Sequence, residues 1–148
     1  MRLRRRNIAD RDETLRAKVR VDRRTKNLIP RLQPGEIAVI HHEDLDRVAA
    51  EGLVAARVAA VINGAQSLSG KYPAQGALAL LKSGIPVIDG VGTSAFNRIR
   101  EGDQVAVDQS RVLLNDEVLC NGKLLELGEV EEKLEVAREA IRSELGEF

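Results

Sequence analysis

Between an apolar run and an alanine- and leucine-rich segment lies Asn63-Gly64-Ala65-Gln66-Ser67-Leu68-Ser69-Gly70-Lys71-Tyr72-Pro73. It gathers serine hydroxyls, side-chain amides, a lysine and a tyrosine in one loop. Such a loop can hold an anion: serines and backbone N–H groups donate hydrogen bonds, Lys71 brings charge, and a following helix adds a partial positive end. The same residues also suit a turn-rich loop whose serines cap helices. The G-x-x-x-x-G-K-[ST] spacing of a Walker loop is missing. Asn63, Gln66, Ser67, Ser69, Gly70, Lys71 and Tyr72 form the first candidate ligand-binding set.

A second set lies in Asp22-Arg23-Arg24-Thr25-Lys26. Arg23, Arg24 and Lys26 can bind phosphate, the arginines bidentately. Taken alone, the stretch also reads as a cap at Asp22 or Thr25 followed by solvated charge. The third, His41-His42-Glu43-Asp44-Leu45-Asp46, has metal-ligand residue types. Adjacent histidines on a strand face opposite ways, which disfavours one shared ion, and Asp44 is expected to be a helix cap instead. No nucleophile, base and orienting group assemble by spacing, so no catalytic residue, metal site or specific cofactor is assigned. The turn Asp89-Gly90-Val91-Gly92 is too weak a glycine pattern to signal a nucleotide cofactor.

The elements that must position these residues follow from periodicity. Thr14 to Val21 alternates as a half-buried strand, and Asp22 to Leu32 reads as a cap and short helix broken by Pro30. Glu36 to Ile40, Val58 to Ile62 and Ile85 to Ile88 are short apolar strands. Helices are expected over Glu43 to Ala56, over Ala74 to Ser83 with a stop at Gly84, and near Ser94 to Arg98. Strands alternating with helices predict parallel pairing, with ligands beyond the strands' carboxyl ends. Gln104 to Val107, Arg111 to Leu114, Glu117 to Leu119 and Lys123 to Leu125 are divided by Asp, Asn and Gly turns and read as a β meander. Glu129 to Leu145 is a long helix with Val130, Leu134, Ala137, Ile141 and Leu145 on one stripe. Packing on its own domain is preferred over pairing with a partner. The expected organisation is a basic arm over 1–13, an α/β domain over 14–128 and a C-terminal helix over 129–148.

At 148 residues the chain suits one core. Aromatics are 2% of the chain, so the core must be aliphatic and a base-stacking surface for single-stranded nucleic acid is disfavoured. Apolar runs stop well short of a membrane span, and no secretory signal follows the basic start. The single cysteine, Cys120, excludes an internal disulfide and fits a reducing cytoplasm. Net charge is zero but polarised. From Arg2 to Arg31 twelve Arg and Lys face four acids, a net of +8, whereas Glu126 to Glu147 carries eight Glu against three cations, a net of −5. A basic front can meet phosphate, an acidic membrane surface or an acidic partner.

DRRTK (22–26), PGEIAVI (34–40), HEDLD (42–46), the S-x-S-G-K-Y-P loop (67–73) and GIPVIDGVG (84–92) stand in the order seen in SteA-type cytokinetic ring proteins. Over about Val21 to Arg100, and more loosely in the terminal helix, the chain resembles the amino-terminal region of that family. Two positions depart from its pattern: His41 stands where Asp is frequent, and Ala74 where Asn is usual. The resemblance implies a portion of a longer bacterial cell-division protein that continues into a thiamine pyrophosphokinase-like domain and hydrophobic segments. It implies a cytoplasmic location, with the full-length protein at the septal membrane.

A more distant likeness covers Tyr72 to Val107. The helix leading to GIPV, then DG, then REGDQVAVDQ is similar to the swivelling phosphohistidine domain. That likeness implies a β/β/α fold with a short parallel sheet, a β meander, a long C-terminal helix and a polar pocket at the helix start. Gln75 falls where that family phosphorylates histidine, and glutamine has no nucleophilic nitrogen for a carrier role.

The expected function is a non-catalytic ligand-binding or protein-interaction domain. The DRRTK segment and the Ser67 to Tyr72 loop would form its anion-tolerant surface. The alternative is an accessory part of a thiamine pyrophosphokinase-like, nucleotide-dependent enzyme. Expected partners are a phosphate-containing small molecule, a division-machinery protein and a second copy through the C-terminal helix.

Overall fold

The computed structural model describes residues 14–146, so the basic arm over 1–13 lies outside the described residues. Leu15, Ala17, Val19 and Val21 alternate with Arg and Lys, and this run forms β1 (Leu15–Val21). Three apolar runs become β2 (Ile37–Ile40), β3 (Ala60–Asn63) and β4 (Val87–Asp89), every residue of which is buried, with polar Asn63 and Asp89 at the last positions of β3 and β4. Strands covered on both faces need such uninterrupted apolar sequence. β1 to β4 lie side by side in chain order, all parallel.

Their connections carry the helices. A single turn, α1 (Thr25–Leu28), runs into a 3₁₀ turn at Ile29–Arg31. Pro30 sits at the start of that turn, where its missing N–H costs least. α2 (Arg47–Ala55) joins β2 to β3, and α3 (Gly76–Lys82) joins β3 to β4. Gly84, at a φ of +79°, ends α3 as a left-handed residue. After α4 (Thr93–Arg98) come β5 (Gln104–Asp108), β6 (Arg111–Leu114), β7 (Glu117–Asn121) and β8 (Lys123–Leu124), and then α5 (Leu127–Glu144).

β5, β6 and β7 are the expected meander, but β8 leaves it. The sheet order is β7-β6-β5-β1-β2-β3-β4-β8, with β8 antiparallel to β4 at the opposite end from β7. Only Gly122 separates β7 from β8, so the sheet curls until its two outermost strands are halves of one segment. β1 bridges the other side: Leu15 to Lys18 pair with β5, and Val19 to Val21 pair with β2. The link at Gly122 thus joins the two ends of the sheet through the chain, while β7 and β8 remain its edge strands.

Three layers result. Ile37, Val39, Ile62 and Ile88 point from the parallel strands toward Val105, Val107 and Val112 of the meander. Ala38, Ile40, Val61 and Val87, alternating with them, meet Ala50 and Leu53 of α2 and Leu80 of α3. Val130 and Leu134 of α5 close over Leu68, Ala74 and Ala77, and Ala137 is fully buried, so the apolar stripe of the last helix packs on its own domain. Leu145, on the expected stripe, remains 67% exposed. No helix among the described residues is long and apolar enough to cross a membrane.

Closure depends on Gly122. A Cβ there would stand 2.7 Å from the Asp89 carbonyl oxygen and 2.8 Å from Val91 Cγ1. Gly122→Ala is expected to cost about 1–3 kcal/mol through overpacking against backbone, read as a lower midpoint in urea. An unchanged midpoint would contradict the closure described here.

Candidate functional site

The carboxyl ends of β1 to β4 bring together Asp22 to Lys26, His41-His42, Asn63-Gly64 and Asp89-Gly90. This is the end of a parallel sheet where ligands settle. Two cavities open there, one on either side of a buried polar partition.

The partition is built on Asn63, which has no exposed surface. Its Oδ1 accepts hydrogen bonds from His42 N and Ala65 N, and its Nδ2 donates to the His42 carbonyl and, at 2.7 Å, to Ser67 Oγ. Ser67, equally buried, donates its hydroxyl to Asp89 Oδ1 at 2.6 Å, and its N–H reaches both carboxylate oxygens at 3.0 Å. Asp44 accepts from Ser69 N and Ser69 Oγ at 2.8 and 2.9 Å. Backbone bonds from Asp44 N to Gln66 O and from Leu45 N to Ser67 O complete the stitching.

These bonds revise two expectations. Ser67 and Ser69 neither cap helices nor offer free hydroxyls to an anion; they tie the loop to the ends of β2 and β4. Asp44 is not a helix cap. It takes a φ of +55°, tolerable for aspartate, and its carboxylate turns to Ser69. Asp46 caps α2 instead by accepting from Ala49 N, which is why α2 begins at Arg47 rather than near Glu43. Nor does Asp22 or Thr25 cap α1. Arg24 holds the cap position without a side-chain bond, while Asp22 Oδ1 accepts from Arg24 N in the preceding turn.

The first cavity, a crevice of about 590 Å³, lies between α1, the end of β2 and the start of α2. Arg23, Arg24, Thr25 and Lys26 line one side, His41, His42, Glu43 and Asp46 the other, and Ile29, Val48 and Ala49 add apolar surface. The histidines part company as adjacent strand residues should. His41 Nε2 lies 3.1 Å from Thr93 Oγ1 with its ring edge-on to Phe96, whereas His42 Nδ1 lies 2.8 Å from Thr25 Oγ1. His42 Nε2 is 3.5 Å from Asp46, so both nitrogens of that ring face a partner.

Arg23 rests over the Phe96 ring at 5.3 Å. The side chains of Arg24 and Lys26 make no hydrogen bond or ion pair to another described residue. The loop carrying them is pinned from behind: Arg31 donates to Val21 O and pairs with Asp22 and Glu101, while Arg20 joins Glu36 and Glu101. Burial raises the Glu36 carboxyl, but hydrogen bonds from Arg20 and Gln33 N outweigh it and leave the group below its ordinary value. Uncompensated cations on a fixed loop suit an anionic ligand.

The second cavity, about 300 Å³, lies between the ends of β4 and β8 and α5. Gln66, Asp89, Lys123, Glu129 and Lys133 are among its lining residues, and Lys123 pairs with Glu129 at 3.2 Å. Burial raises the Asp89 carboxyl above its ordinary value of 3.8, only partly offset by the Ser67 hydrogen bonds and the Lys133 charge. The folded state therefore holds its proton to higher pH than the unfolded state. Stability falls as pH rises from 3.8 through the folded value. Asp89→Asn is expected to flatten that fall in urea titrations between pH 3 and 7, and an unchanged profile would contradict it.

The structure thus divides the sequence-derived candidates. Arg23, Arg24 and Lys26 share the first crevice, and Gln66 faces the second cavity. Asn63 and Ser67 form the partition with Ser69 beside it, and Gly70, Lys71 and Tyr72 line neither cavity. Sequence reasoning missed Asp89 and Asp44 as the acceptors of the loop serines and His42 as a wall of the crevice. Their positions at or just beyond strand ends were the available signal. Lys133, brought over from α5, had none. Among the described residues no three His, Cys, Asp or Glu side chains gather as a metal site. The fold is that of a mixed α/β domain with two crevices at the carboxyl ends of its parallel strands. Comparison with protein-family models and with curated proteins finds no match to this chain.

Proposed function

We propose that this chain is a non-catalytic binding domain that takes a phosphate-bearing ligand in the crevice at the ends of β1 and β2. We propose further that it serves as the cytoplasmic amino-terminal module of a SteA-type cytokinetic ring protein in bacterial cell division. The observation that carries the binding reading is the set Arg23, Arg24 and Lys26, on a braced loop beside a 590 Å³ crevice, with Arg24 and Lys26 unpaired among the described residues. Binding without chemistry is favoured because the polar groups are already committed. Ser67 Oγ has a carboxylate acceptor but no exposed surface, and both His42 nitrogens face partners. The family setting draws support from the five sequence blocks. DRRTK, HEDLD, the serine loop and the end of GIPVIDGVG all gather at one end of the sheet, while PGEIAVI supplies β2. Calorimetry with inorganic pyrophosphate, comparing the unaltered chain with the Arg24→Ala, Lys26→Ala double variant, tests the crevice.

A further inference from the structure

Resting on that binding site, the crevice lining narrows the ligand class. We infer that it takes a nucleoside phosphate rather than a bare phosphate or pyrophosphate. Its volume of about 590 Å³ falls in the range that holds whole organic ligands. Positive charge occupies only one side of it, at Arg23, Arg24 and Lys26, and the carboxylates of Glu43 and Asp46 lie on the other.

The rest has a different chemistry. Val48, on the first turn of α2, is 77% exposed and lines the crevice with Ala49, an aliphatic surface left in water. The His42 ring, which lines the same crevice, is fixed by Thr25 at Nδ1 and faces Asp46 at Nε2, so what it offers a ligand is chiefly its face. An aromatic face and an aliphatic wall in one crevice suit a planar base. Glu43 lines the same crevice, and its carboxylate, an acceptor only, has no partner among the described residues. Glu43 would repel a second phosphate but accept hydrogen bonds from a ribose hydroxyl or a base amino group. Phosphate on the cations, base between His42 and Val48, and donors toward Glu43 use each kind of lining once.

Calorimetry with AMP, ribose 5-phosphate and inorganic pyrophosphate separates this inference from the reading beneath it. AMP is expected to bind about tenfold more tightly than either of the others. Val48→Ser, at an exposed position, is expected to erase most of that advantage while leaving pyrophosphate affinity within about twofold. Equal affinities for AMP and pyrophosphate, both lost in the Arg24→Ala, Lys26→Ala variant, would overturn the nucleoside class and leave the phosphate site standing. A preference for AMP untouched by Val48→Ser would also overturn the placement. Absence of binding by all three would remove both.

Discussion

Asn63→Ala is expected to destabilise the protein by about 3 kcal/mol or more. The side chain has no exposure and bonds to His42 N, His42 O, Ala65 N and Ser67 Oγ. Removing it strands several polar groups where water has little access, and each stranded group costs about 1–3 kcal/mol. The effect spreads along the chain of bonds, because Ser67 is held between Asn63 and Asp89. Thermal unfolding should show a midpoint lowered by roughly 10 °C. A shift under 2 °C would mean that the partition contributes little to the fold. Asn63→Asp tests the same point more finely, since it keeps an acceptor for His42 N but loses the donor that Ser67 Oγ receives.

The Arg24→Ala, Lys26→Ala double variant is expected to weaken pyrophosphate binding about 100-fold while leaving the unfolding midpoint nearly unchanged. A hydrogen bond to a charged group is worth about 1.5–3 kcal/mol, and each 1.4 kcal/mol is a factor of ten. Two such contacts therefore give a loss of at least two decades. Stability should survive because neither side chain makes a bond within the described structure. Asn63 and its partners hold the loop together, whereas Arg24 and Lys26 are left available. Raising salt should weaken the interaction in the unaltered chain, since the cations lie on the solvent side of the crevice. Equal pyrophosphate affinity in the double variant would place the anion elsewhere or nowhere.

Much of the fold is legible in the residues themselves. The apolar runs 37–40, 60–62 and 87–88 read as central strands, and Gly84 and Pro30 stop helices for local reasons. The crossover of β8 is not legible, because nothing local distinguishes Lys123-Leu124 from another meander strand. Its partner β4 is chosen by the curl of the whole sheet and by the close approach that Gly122 permits.

The site shows the same division. Arg23, Arg24 and Lys26 are found by charge and by their place after a strand. The serines of the 63–73 loop mislead, because their composition is equally that of an anion cradle and of a loop tied to neighbouring carboxylates. Deciding between these needs the positions of Asp44 and Asp89, which lie 25 and 22 residues away from their serine partners. Asp44 misleads for a related reason. A left-handed residue two positions before the true cap cannot be read from a sequence in which both are aspartate.

The central claim is that an anion is held at the carboxyl ends of β1 and β2, away from the serine loop. Amide chemical-shift mapping of the isotope-labelled chain during titration with inorganic pyrophosphate tests it most directly. The expected result is a set of saturable shifts confined to residues 23–26, 41–43 and 46–49. Shifts centred instead on 66–72 or around Lys133, or no saturable shift at all, would contradict it.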